Sequence, residues 1–197
     1  MQAFPLPNLG KANPGGHGIV GPIRCLKVES HMIFGVSPIK HAVVIAQTTG
    51  SGDNFAIKSI TSVQSQTCSG DDLRELLRRL VIIFDRGGKN LGSTIALLSS
   101  SSGRFKSSVE AIKGGAIIQL AATQSGVPVF RVSVASLKKA LCCPPGHKWQ
   151  VCAEERFNSA GFHTNWSRGA AGAVAAALKI AEEQAAEEQK ERGSWIS

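Results

Sequence analysis

Residues 167–181, SRGAAGAVAAALKIA, read as an alanine-rich helix with Gly169 and Gly172 in its first turns. Glycine weakens a helix interior by roughly 0.5–1 kcal/mol relative to alanine. Two glycines three apart lie on one helical face, so the reason for them is sought outside the helix. Downstream, AEEQAAEEQKER (181–192) holds five glutamates and reads as a solvated polar extension of the same helix.

Working outward, 197 residues suffice for one domain with a sizeable core and appended ends. A 43% hydrophobic and 18% charged composition is that of a globular chain rather than a disordered one. No apolar run reaches the roughly 18–20 residues of a membrane span, and the first residues lack a signal-peptide core. A cytoplasmic protein without membrane contact is therefore expected. The net charge is +8, but residues 1–178 carry nineteen basic against nine acidic groups, a surplus of ten. Such a body suits a nucleic-acid partner, whose phosphates attract lysine and arginine by counterion release.

Residues 1–31 are rich in Pro, Gly and Asn at their start and read as a flexible arm, 32–181 as the folded domain, and 182–197 as the polar helical extension. MIFGVSPIKHAVVIAQ and NFAIKSITSV read as a hairpin or meander. SGDDLRELLRRL is an amphipathic helix with Ser69 as N-cap, and VIIF behind it reads as a buried parallel strand. GGKNLGSTIALLSSSSGRFKSS is a connection with a short segment at STIALL. VEAIKGGAIIQLAATQSG is the next helix, ended by Gly126. VPVFRVS is a strand, VASLKKAL a short helix, and a further helix starts near His147 or Lys148. Hairpin strands followed by alternating strands and helices predict an α/β fold with a sheet of mixed sense.

The order of these elements resembles that of the ribonuclease H-like fold, which implies a mixed five-stranded sheet with flanking helices. FGVSPIKHAVVIA resembles the first strand and turn of its RuvC-like branch, the Holliday-junction resolvases and their relatives. GGAIIQLAATQSGVPVFRVSVASLKKAL resembles that family's central helix, strand and lysine-bearing helix, GHKWQV its next helix start, and GAAGAVAAALKIA its closing helix. GRFKSSVEAIKGGAIIQLAA is similar to an uncharacterised bacterial family of small RuvC-like proteins with a basic loop before that helix.

The resemblance implies four carboxylates that hold divalent ions, and here the sequence departs from it. The first-strand motif puts Ser37 where the family has aspartate. The last-helix motif puts Gly169 and Gly172 at the two aspartate positions, and Asp85, just after VIIF, is the one match for the strand-four acid. One carboxylate cannot supply the hard, dense negative charge that two divalent ions need. The expectation is a nuclease-like domain that no longer cuts, needs no cofactor, and binds branched DNA or structured RNA or docks in a nucleic-acid-processing assembly. Restoring Asp at 37, 169 and 172 would rebuild the acid set. The alternatives are an active Mg²⁺-dependent, structure-selective endonuclease whose metal site is rebuilt from Asp85, Glu110 and Asp53, and a structural subunit of a ribonucleoprotein or other assembly. A homodimer would match a two-fold substrate.

Candidate nucleic-acid contacts are Arg104, Phe105 and Lys106 in GRFKSS, two cations with a stacking ring. Lys138, Lys139 and Lys148 join them from the resolvase-like portion. Arg86 and Lys89 in DRGGKN would meet a phosphate on glycine amides, without the full phosphate-loop pattern. Cys142, His147 and Cys152 have the spacing of half a zinc knuckle. Its missing ligand falls at Lys139, so reduced cysteines are the expected state. His41 is read as structural.

Overall fold

The alternating apolar residues of MIFGVSP and AVVIAQTT fold as a hairpin, β1 (Met32–Pro38) pairing antiparallel with β2 (Ala42–Thr49). The computed structural model describes residues 31–65, 69–88, 92–99, 108–157, 166 and 169–194. β3 (Ala56–Gln64) adds antiparallel to β2 with a register shift at Gln47/Thr48. The buried Thr48 hydroxyl donates to the Ile33 carbonyl (3.1 Å). β4 (Thr94–Leu98) and β5 (Val129–Val132) extend the sheet parallel to β1, giving the order β3-β2-β1-β4-β5.

The chain climbs from β3 to β4 through α1 (Gly70–Gly88). Ser69 caps it reciprocally: its hydroxyl accepts from the Asp72 N–H (3.1 Å), and the Asp72 carboxylate accepts from the Ser69 N–H (3.0 Å). VIIF is a correction to the sequence reading. It continues α1, and the fourth strand is TIALL. Leu76, Leu80 and Phe84 form one buried stripe at four-residue spacing. No Gly or Pro separates Leu80 from Val81, so the helical period carries straight through the apolar run.

α1 packs with α2 (Val109–Ser125) on one face of the sheet, over Phe34, Val36, Ile95 and Leu97. Ser108 caps α2, and Gly126 ends it at φ 66°, a left-handed conformation that glycine adopts freely. The opposite face is covered by α3 (Val134–Ala140), α4 (Trp149–Phe157) and α5 (Ala170–Ser194). α5 is the helix of the opening stretch. Every residue from Ala170 to Leu178 is buried, and beyond Ala181 the same unbroken helix turns polar and exposed. Small side chains let it lie directly on β1. A Cβ built at Gly35 would fall on the Ala173 carbonyl oxygen and 2.9 Å from the Ala177 Cβ.

Candidate functional site

β1, β4 and β5 run parallel, so their C-terminal ends, Pro38, Leu98 and Val132, lie along one edge of the sheet. At this edge Ser37, with 3% exposure, faces α5. A Cβ at Gly172 would sit 3.0 Å from Ser37 Oγ, 2.8 Å from Leu98 Cδ2 and 3.3 Å from Trp149 Cη2. Four elements, β1, β4, α4 and α5, thus converge on one point. Ser37 and Gly172, two residues singled out in the sequence, are neighbours here. Trp149 belongs to the resolvase-like stretch GHKWQV, whereas Leu98 is a residue the sequence reading misses. Leu98 was hidden because the fourth strand had been read one segment too early.

Asp85 is therefore not a strand-end residue. It lies exposed in the last turn of α1, which delivers the chain to the start of β4, whereas Leu98 stands at that strand's end. Gly169 is a second correction. It precedes α5 at φ 97°, its carbonyl accepts from the Ala173 N–H (3.0 Å), and a Cβ there would meet Val44 and Ile39 rather than Ser37. The glycine starts the helix in a left-handed turn that an aspartate would strain.

Asp53, Asp85 and Glu110 do not meet. Asp53 follows β2, whose Thr49 pairs with Met32 at the start of β1, so it shares with Asp85 the sheet end opposite Ser37. Glu110 opens α2 beside the β1–β2 turn. Its own backbone N–H, then the Ser108 hydroxyl, and then Lys40 and His41 hold its carboxyl below the usual range. Among the described residues, no three His, Cys, Asp or Glu side chains group closely enough to hold a metal ion. At the convergence point the described residues offer one serine hydroxyl among leucine, tryptophan and glycine, which does not fit a divalent cation. The N-terminus of α5 opens beside it, and the partial positive charge there disfavours a cation further.

Cys142, His147 and Cys152 do not form a ligand set either. Cys142 is exposed at φ 51° beyond α3, and it is the half-buried Cys143 that sits against buried Cys152. Burial first, and the Cys152 thiol second, push the Cys143 thiol up to about 11, so it stays protonated and a poor metal ligand at neutral pH.

Of the expected cationic contacts, Lys148 immediately precedes Trp149 and is exposed beside the convergence point. Lys138 and Lys139 are exposed in the last turn of α3. Arg86 is exposed at the end of α1, away from this edge. Lys89, Arg104, Phe105 and Lys106 lie outside the described residues. Lys40 and His41, both exposed on the β1–β2 turn, border the same edge. No motif marks them, since the strand pairing alone brings the turn there.

On the α2 side of this edge is a cavity of about 290 Å³, lined among others by Pro38, Leu97, Gly115, Gln119 and Arg131. Arg131 pairs in register with Leu97, which places it on the α2 face, and its Nη2 donates to Gln119 Oε1 (2.8 Å).

No protein-family model matches the chain, and no curated protein matches it by sequence. Among solved structures it is similar to RuvC of Thermus thermophilus, at 15% identity over 75% of this chain and 92% of that one, with a TM-score of 0.59. It is similar also to T. thermophilus RuvC in complex with a Holliday junction substrate, at 15% identity over 76% and 91%, with a TM-score of 0.60. With its hairpin-led mixed sheet and a final helix laid across the first strand, the chain has the RuvC-like form of the ribonuclease H-like fold.

Proposed function

We propose that this chain is a RuvC-like domain that binds nucleic acid at the C-terminal edge of its parallel strands and does so without a divalent ion and without cutting. The observation that carries the reading is the convergence of Ser37, Leu98, Trp149 and Gly172, none of them a carboxylate, at the point where the fold would gather its acids. Two consequences follow from that composition. Without acids the point cannot concentrate cations, and without their negative charge it no longer repels phosphate. Lys40, His41 and Lys148 border the same edge, Lys40 and His41 beside the Glu110 carboxylate that opens α2, and α5 directs its N-terminus to it. The likeness to a RuvC structure solved with a Holliday junction makes branched DNA the first substrate to test.

The test is a salt series of binding to four-way junctions, run in EDTA and again with Mg²⁺ or Mn²⁺. Retention in EDTA is expected, with a log–log salt slope that falls by about 1 for each of Lys40→Ala and Lys148→Ala. Cleavage in either metal, or retention that is insensitive to salt, overturns the reading. A second reading, docking as a subunit of a larger assembly or as a homodimer, is favoured by the apolar residues that α2 exposes, Val109 (61%), Ile112 (57%) and Leu120 (45%). A mass measurement in solution that gives the monomer at all concentrations counts against the homodimer.

A further inference from the structure

Gly115 stands in the middle of α2, where alanine would strengthen the helix by about 1 kcal/mol. Its neighbour Gly114 is buried against Pro38, whose Cβ would lie 3.5 Å from an added methyl. Gly115 has no such neighbour: a Cβ there would meet nothing within 4 Å. The glycine keeps open the cavity of about 290 Å³, close to the size at which small-molecule pockets begin.

The lining mixes apolar side chains, among them Pro38, Leu97 and Ala116, with the polar groups of Ser99, Gln119 and Arg131. Gln119 is engaged on both sides, its Nε2 donating to the Gly115 carbonyl (3.1 Å) and its Oε1 accepting from Arg131 (2.8 Å). That bond ties one donor of the exposed guanidinium to Gln119, and the rest of its fork carries further N–H donors. No carboxylate is among the described residues that line the cavity. A ligand that matches this mixed lining and the guanidinium fork is a ring with two adjacent acceptors on one edge. Guanine presents this pair as O6 and N7. On the same edge adenine puts an amino donor beside N7, cytosine presents a donor and thymine a single acceptor beside a methyl group. The pairing edge of an unpaired cytosine, N3 with O2, also offers two acceptors, and tighter binding of cytosine than of guanine overturns the assignment.

We infer that the cavity between α2 and β5 receives a guanine base, bound edge-on by Arg131 beside Gln119. As a property of a nucleic-acid-binding domain it rests on the function proposed above, with the base supplied by an unpaired nucleotide near a branch point. The same chemistry is offered by a free guanine nucleotide, and the two sources are separable.

The full chain is titrated by fluorescence anisotropy with junctions carrying one unpaired nucleotide at the branch: guanine, 7-deazaguanine, which lacks the N7 acceptor, adenine or cytosine. Equilibrium dialysis with GMP alone is the parallel arm. Guanine is expected to bind about tenfold more tightly than 7-deazaguanine, and Arg131→Ala to bring that ratio to one. Gly115→Leu fills the cavity from a position where the backbone has room, so it is expected to erase the ratio in a protein whose melting temperature does not fall. GMP retention that Arg131→Ala abolishes, with no preference among the junctions, assigns the site to the free nucleotide. Equal binding of guanine and 7-deazaguanine together with no GMP retention overturns the inference, as does a preference that survives Gly115→Leu. Loss of all junction binding with Arg131-dependent GMP retention refutes the proposed function and leaves the cavity assignment standing.

Discussion

On the α5 side the sheet meets glycine and alanine, whereas on the α1–α2 side it meets phenylalanine, leucine and isoleucine. Gly35 lets the Ala173 carbonyl approach β1, while on the other face Phe34 and Phe84 fill the space edge to face at 5.5 Å. The first face is limited by backbone contact and fails when a methyl is added. The second is limited by side-chain volume and fails when one is removed. The same contrast marks the two candidate regions. Gly172 is a glycine closed in by Leu98 and Ser37, and Gly115 is a glycine open to a cavity.

The largest effect is expected on the volume-limited face. Phe84→Ala empties a fully buried site and should cost about 3–5 kcal/mol, read as a fall in melting temperature of about 10 °C. Phe84→Leu, which keeps most of the volume, should cost clearly less. Equal losses for the two would break the account of that face.

Gly35→Ala is the converse operation. Its single methyl is directed at a backbone oxygen that cannot rotate away, so the cost should reach about 3 kcal/mol, the upper part of the range for overpacking. A melting temperature within a degree of wild type would mean that α5 does not rest on β1 as described. Gly169→Ala comes next, at about 1–2 kcal/mol, because φ is 97° and the methyl would meet Val44 Cγ2 at 3.0 Å and Ile39 Cγ2 at 3.1 Å. Gly115→Ala should move the other way, stabilising by about 0.5–1 kcal/mol, since its φ is helical and its surroundings are open. Destabilisation by that substitution would remove the contrast between the closed and open glycines.

This contrast also explains how much was legible in the sequence. The hairpin, α2, β5 and the small-residue helix α5 follow from patterns that act over a few residues: alternation, a Ser N-cap, a Gly stop, an alanine run. VIIF was misread because four apolar residues satisfy a buried strand and a helical stripe equally, and only the phase of Leu76 and Leu80 decides between them. That single shift concealed Leu98 and promoted Asp85. Gly169 and Gly172 looked alike in sequence, yet one opens the helix in a left-handed turn and the other packs beneath Leu98. Backbone sign and cross-strand neighbours are tertiary properties that three-residue spacing does not encode. The cavity was invisible for a related reason, since Arg131 and Gln119 are joined by the α2–β5 crossover.

The smallest expected effect lies where the two faces differ in solvent. Over 170–178 α5 is buried all round, but α1 has a charged outer side on which Glu75 bonds Arg78 (2.8 Å) and Arg79 (2.7 Å). Hydrogen bonds from Arg78 and then Arg79 draw the Glu75 carboxyl down from 4.5 to about 2. A carboxyl depressed in the folded state binds its proton more readily once unfolded. Its contribution is therefore complete above the unfolded value and is lost as the pH falls through the window from about 4.5 to about 2. All three side chains are well exposed, so salt screens the cluster and the effect stays small. Chemical denaturation of Glu75→Gln against wild type should give a slight deficit at neutral pH and low salt, shrinking across that window and on addition of salt. A deficit that persists unchanged at pH 2 and in high salt would mean that Glu75 supports α1 by packing rather than by charge, and that the outer side of α1 is closer in kind to α5 than its exposure implies.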